Sequence, residues 1–180
     1  MTDPRIVPGT RSDTGWLNWT IASVAGRVAG TSAPNLFLTL ARHRTLFRGW
    51  LMFAGRLMPR GKLPRRESEL VILRVAHLCT NSYEFEHHAR LGRRAGLTDG
   101  DLDAITRALA EGPWSDREAT ILTAVDQLHT ERDLDEDAWT ALRRHLDERD
   151  CIEFLMLVGH YEMLATFLGT LRVPLDSRRA

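Results

Sequence analysis

The chain has 180 residues, enough for one domain with a proper core. Lys+Arg and Asp+Glu number 24 each, which leaves no net field to draw the protein to nucleic acid or to an anionic membrane. No apolar run approaches the roughly 18 residues of a membrane span, and two widely separated cysteines do not make a disulfide framework.

Residues 1–34 contain Pro4, Pro8, Gly9, Gly15, Gly26, Gly30 and Pro34 between short apolar patches. They read as an N-terminal arm with one short helix near Leu17 to Val28, weakened by its glycines. From Asn35 to Met58, Leu36, Phe37, Leu40, Leu46, Phe47, Trp50, Leu51 and Phe53 recur at near-helical spacing, which predicts a pair of helices or one broken helix. Core packing is the expected role of Trp50 and Phe53. Gly61 and Pro64 then make a loop whose Arg60, Lys62, Arg65 and Arg66 either face solvent or attract an anionic substrate.

Glu67 to Leu78 is too densely apolar for a one-sided surface helix, so it is expected to be buried. A buried helix that carries Glu69 must supply that carboxylate with a partner, because an unpaired buried charge costs several kcal/mol. The helix breaks at Thr80-Asn81-Ser82, and Ser82 is the expected N-cap of a second helix starting near Tyr83. Glu84 then falls in a first turn, where free amides and the helix dipole favour its anion. His88 lies one turn further on the same face. That pair is either an ordinary ion pair, part of a site, or two of the three or more ligands a metal needs, with His77, His87 and His160 unordered as further candidates. Arg93-Arg94-Ala95-Gly96 ends the second helix.

A short amphipathic helix is expected over Gly100 to Ala110. Ser115 to Glu118 reads as a capping box for a helix over Asp116 to Glu131, with His129 near its C-terminus. Asp133 to Asp137 opens another that ends before Asp150. Cys151 to Leu171 is a strongly apolar helix, interrupted by Glu153, His160 and Glu162, in which His160 reads as a core histidine. Ser177 to Ala180 reads as a frayed tail. Period-two alternation is absent, so the expected fold class is all-α. Cys79 follows Val75, Ala76 and Leu78 and reads as a small buried apolar residue.

Arg65-Arg66-Glu67-Ser68-Glu69-Leu70-Val71-Ile72-Leu73-Arg74, Tyr83-Glu84-Phe85-Glu86-His87-His88 and Ala95-Gly96-Leu97-Thr98 together resemble the carboxymuconolactone decarboxylase-like family, whose superfamily contains alkyl hydroperoxidase D. The resemblance runs on through Trp114 to Glu118, Ala124 to His129 and Leu157 to Met163, and covers the chain from about Asn35 onward. It implies an alkyl hydroperoxidase D-like helical bundle over 35–176, following the arm at 1–34 and preceding the tail at 177–180. It also implies assembly as a trimer or hexamer. The peroxidase branch carries a glutamate, a Cys-x-x-Cys pair and a histidine four residues later. Setting Glu69 and His88 on the outer two places Asn81 and Glu84 where the thiols belong, so both redox thiols are missing. Cys79 and Ser82 lie two residues out of register with that pair.

The expected function is therefore a small-molecule enzyme of the decarboxylase-like branch, acting by general acid/base chemistry on an organic acid, lactone or related carbonyl compound. Glu69, Glu84 and His88 are the expected catalytic residues, with Tyr83 as donor to a developing oxyanion. Desolvation is expected to raise Glu69 while Glu84 stays ionised. No cofactor and no metal are expected, and the only partners are a small substrate and further copies of the chain. The alternatives are a hydroperoxide reductase running on Cys79 or a metal, and a non-catalytic oligomeric ligand-binding protein. Met1 to Pro8 lack the zones of a secretory signal, so the expected location is cytoplasmic.

Overall fold

The computed structural model describes residues 3–29, 32–58 and 60–177. Among them every regular element is a helix, ten α-helices and one 3₁₀ turn, in agreement with the all-α expectation. By contact the chain groups into two units, Met1–Arg56 with Thr166–Ala180, and Leu57–Ala165.

In the first unit, α1 (Arg11–Thr14) opens on a capping box between Thr10 and Asp13, and Gly15 ends it at φ 79°. Helix α2 (Trp16–Ala29) covers the short helix expected over Leu17 to Val28. Gly26 within it is there for space: a Cβ would collide with the Ser32 carbonyl, so only glycine lets the chain return so closely. Gly30 lies outside the described residues. The broken helix resolves into α3 (Asn35–Leu40) and α4 (Arg44–Leu57). Trp50 packs edge-on against Phe37, with centroids 5.3 Å apart, and stacks on Phe47 at 6.1 Å. Asn35 ties α3 to the end of the chain, donating its backbone N–H to Asp176 at 2.7 Å and its amide to the Pro174 and Leu175 carbonyls at 3.1 Å. Ser177 accepts the Ser32 N–H at 3.3 Å, while the remainder of the expected tail, 178–180, lies outside the described residues.

The second unit is built around α5 (Arg65–Leu78), which is buried continuously from Ser68 to Ala76 and packs against α6 (Ser82–Arg94) and α8 (Asp116–Glu131). Leu70 and Leu73 of α5, Ala89 of α6, Leu97, Leu102, Ile105 and Leu122 form its core cluster. Burying a leucine of this kind contributes about 2 kcal/mol, so the sequence density of Leu and Val here fixes which face turns inward. Gly96, at φ 93°, turns the chain out of α6 toward α7 (Asp99–Ala104).

Helix α7 stops well short of Ala110, where the sequence pattern puts its end, and a 3₁₀ turn follows at Leu109–Glu111. The buried Arg74 supplies the reason. Its guanidinium donates to the Ile105 and Arg107 carbonyls at 2.7 and 3.0 Å, serving acceptors that a longer helix would have engaged, and pairs with Asp126 at 2.6 and 2.7 Å. The basic loop keeps Arg60 and Lys62 exposed to solvent, as expected, and is also tied down by ion pairs. Lys62 pairs with Asp150 at 3.0 Å, and Arg66 with Glu118 at 2.7 Å and Asp101 at 3.1 Å. Glu153 accepts the loop N–H groups of Lys62 and Leu63 at 2.8 and 2.9 Å.

Ser115 and Glu118 form the expected capping box of α8. Helix α9 (Glu136–His145) ends before Asp150 as expected, with Leu146 as its C-cap, and α10 (Glu148–Leu171) starts before Cys151 because Asp147 accepts the Asp150 N–H at its N-terminus. Contrary to the sequence reading, α10 is by length and mean hydropathy (1.4 over its best 18 residues) apolar enough to cross a membrane, but half of that stretch is buried within the protein. A core helix acquires the same composition.

Candidate active site

Four side chains of the second unit meet between the first turns of α5, the middle of α6 and α10. Glu69 is fully buried on the inward face of α5. Its Oε2 lies 2.7 Å from His88 Nδ1 on α6, and its Oε1 lies 2.7 Å from Arg65 Nη2, one turn earlier on its own helix. The Arg65 contact is close in distance without being an aligned hydrogen bond. The carboxylate is thus held on both oxygens, which answers the demand that its burial created. Its hydrogen bond to Nδ1 fixes the His88 ring and leaves Nε2 outside that contact.

His88 is 7% exposed, and the ring of Tyr161 on α10 stands edge-on to it, with centroids 5.0 Å apart at 89°. Burial, together with Glu69 and Glu84, drives the Tyr161 phenol far above its ordinary range, so Tyr161 is a neutral donor at any physiological pH. His160 stacks edge-on against Tyr161 at 5.2 Å and is pushed down to about 4 by burial and by the neighbouring His88. It is neutral near pH 7.

Glu84 departs most from the sequence expectation. It does sit in the first turn of α6, but the cap is Asn81 rather than Ser82. Asn81 Oδ1 accepts the backbone N–H of Glu84 at 3.0 Å, so that amide is already taken. The side chain is 3% exposed and neither carboxyl oxygen has a hydrogen-bond partner. Desolvation pushes its pKa to about 8. The expected division of labour is therefore overturned at Glu84, which is a protonated carboxylic acid at neutral pH.

Tyr83 is buried beside Glu84 on α6. Cys79, the C-cap of α5, is half-buried rather than fully so, and burial together with Glu162 and Glu84 pushes its thiol up to about 11. Among the described residues no third His, Cys, Asp or Glu groups with Glu84 and His88. An open depression of about 460 Å³, lined by residues including His77, Asn81, Phe85 and Thr106, lies at the turn between α5 and α6. Sequence reasoning missed Arg65 and Tyr161 as neighbours of the site. The first had a visible signal, an i,i+4 spacing to Glu69. The second had none, since it comes from a helix far along the chain.

The fold and this carboxylate-clamped imidazole define an all-α protein of the alkyl hydroperoxidase D-like type. Residues 44–127, which carry Glu69, Glu84 and His88, match the model of the carboxymuconolactone decarboxylase family. Comparison with curated protein sequences finds no match. Similar solved structures include a peroxidase-related protein with an alkylhydroperoxidase AhpD core from Ralstonia eutropha JMP134 (TM-score 0.86, 17% identity, 97% of this chain and 93% of that one). A peroxidase-related protein from Silicibacter sp. TM1040 superposes at TM-score 0.83 with 15% identity, covering 97% and 94% of the two chains. A cysteine-to-alanine variant of the debrominase Bmp8, in complex with 2,3,4-tribromopyrrole, does so at 0.81 with 15% identity, covering 97% and 92%. At these identities the likeness is one of fold.

Proposed function

We propose that this protein is a small-molecule enzyme that works by general acid/base catalysis on an organic acid, lactone or related carbonyl compound. The observation that carries the reading is Glu84: an unpartnered buried carboxyl group with a pKa of about 8, one helical turn from an imidazole already clamped by a second carboxylate. An acid poised near the working pH is what proton transfer to a developing oxyanion or enolate requires. Protonated Glu84 gives its proton to the atom on which negative charge collects, and His88 Nε2 returns a proton to Glu84 or takes one from substrate. Glu69 orients the ring and stabilises its cation without reacting itself. Tyr161 is a neutral hydroxyl donor for the same charge, and Tyr83 is a second candidate beside Glu84. The substrate enters from the depression at the α5–α6 junction, the active assembly is a homo-oligomer, and no cofactor takes part.

A hydroperoxide reductase, the other activity of the superfamily, would have to run on Cys79 or on a metal, and the thiol by itself is ill suited. The Cys79 thiol, held near 11, is almost wholly protonated at neutral pH and therefore a poor nucleophile. The test is a turnover screen over keto acids, lactones and their carboxylated analogues, followed by Glu84→Gln and His88→Asn on the best substrate. Each variant is expected to lose at least about a hundredfold in kcat. Retained turnover in Glu84→Gln would remove the proposal.

A further inference from the structure

A second cluster lies outside the acid/base set. Cys79 at the end of α5, His129 in the last turn of α8 and Glu162 on α10 each offer one donor atom within 4.8 Å of the other two. We propose that these three residues bind a divalent transition-metal ion of the zinc class.

The donor chemistry selects the ion. A thiol, an imidazole and a carboxylate form a mixed S/N/O set that suits Zn²⁺ or Co²⁺ and is wrong for Mg²⁺ or Ca²⁺, which take oxygen alone. Bound zinc places such donors roughly 3.5 Å apart from one another, so side-chain rotation of about 1 Å closes the observed triangle. Three helices supply one ligand each, and their packing sets the spacing. The carboxylate is already aimed: Glu162 Oε1 stands 2.9 Å from His129 Nδ1, while Oε2 pairs with Arg132, whose backbone is fixed in the left-handed region at φ 62°. Such an outer partner orients a ligating carboxylate.

The electrostatics agree. Burial and the neighbouring Glu162 carboxylate disfavour a thiolate at Cys79 until a cation arrives. On binding, the S–H bond is exchanged for an S–metal bond and the proton leaves to solvent, so the thiolate and the Glu162 carboxylate together neutralise the two charges of the ion. The His129 and Glu162 side chains are 26% and 17% exposed, which leaves a route in. Three protein donors leave a fourth position for water or another small ligand. Neither Glu69 nor His88 takes part, so this inference stands apart from the acid/base reading.

The test uses the full chain, freed of metal by chelation and titrated with Co²⁺. One equivalent is expected to bind and to give a thiolate-to-cobalt charge-transfer band with tetrahedral ligand-field bands, all displaced by Zn²⁺. Cys79→Ser should abolish the charge-transfer band and weaken binding at least tenfold. Cys151→Ser, which removes the buried second thiol, should leave the band in place. Because a variant can misfold, the wild-type protein gives an independent readout: Zn²⁺ should slow alkylation of Cys79 at least tenfold. Absence of one-to-one binding, a band that survives Cys79→Ser, or alkylation indifferent to Zn²⁺ would each overturn the proposal.

Discussion

Replacing Glu84 with glutamine should make the protein more stable and less active, and the two effects should separate along the pH axis. In the folded chain Glu84 holds its proton up to about pH 8, whereas in the unfolded chain it releases it near its ordinary 4.5. Between those values the native state binds the extra proton, so wild-type stability falls as pH rises, by about 1.4 kcal/mol per unit from this group alone. Below pH 4.5 both states are protonated and Glu84 costs nothing through ionisation. At pH 7 the accumulated loss is about 3 kcal/mol, and above pH 8 it stops growing. Glutamine has no such proton to lose. Urea unfolding of both proteins at half-unit steps from about pH 4 to 9 measures the difference, and taking the difference cancels every other titrating group. The expected curve is flat below 4.5, climbs toward 8 and then levels. A difference that does not vary with pH would show that Glu84 is ionised in the fold, and the argument for it as the acid would fail with it. Any constant offset between the two proteins reports only the different hydrogen-bonding needs of an amide.

Four further outcomes follow from the geometry. Turnover on an acid/base substrate should be constant up to about pH 8 and decline above it as Glu84 ionises, a limb that Glu84→Gln must lack. Glu69→Gln should lower kcat by about 10²–10⁴ while leaving KM nearly unchanged, because it removes the anion that supports the His88 cation without altering the cavity. Wild-type protein should consume organic hydroperoxides at no more than the background rate at about pH 7, given the protonated Cys79 thiol, and robust peroxide turnover would restore the reductase reading. Arg74→Met should cost about 3–5 kcal/mol in chemical denaturation, because it leaves Asp126 unpaired and two carbonyls unserved. A loss below about 1 kcal/mol would show that water takes over those acceptors.

Helix positions follow from periodicity, and the all-round burial of α5 follows from its apolar density, because a run such as Leu70 to Ala76 leaves no polar face to turn outward. The Glu69–His88 hydrogen bond is anticipated through the family resemblance and rests on two residues whose spacing the fold preserves. The charge states are a different matter. A place in a first turn argues for an ionised Glu84, and that local argument is sound until Asn81 occupies the amide and α6 turns the side chain inward. Tyr161 and the Cys79–His129–Glu162 cluster depend on where α8 and α10 lie against α5, and no spacing within a single helix encodes a meeting of residues so far apart in the chain. The early stop of α7 has the same origin, since Arg74 reaches the Ile105 carbonyl from a helix 31 residues earlier in sequence.

Asn81 has a further consequence, for how firmly the start of α6 is tied down. Its side chain does two jobs at once, receiving the Glu84 N–H and donating to the Ala165 carbonyl at 3.3 Å. A residue without an amide there would do neither well, forfeiting about 1 kcal/mol of cap and stranding a buried acceptor. One side chain thus couples the first turn of α6 to a carbonyl of α10, and loosening either end loosens both.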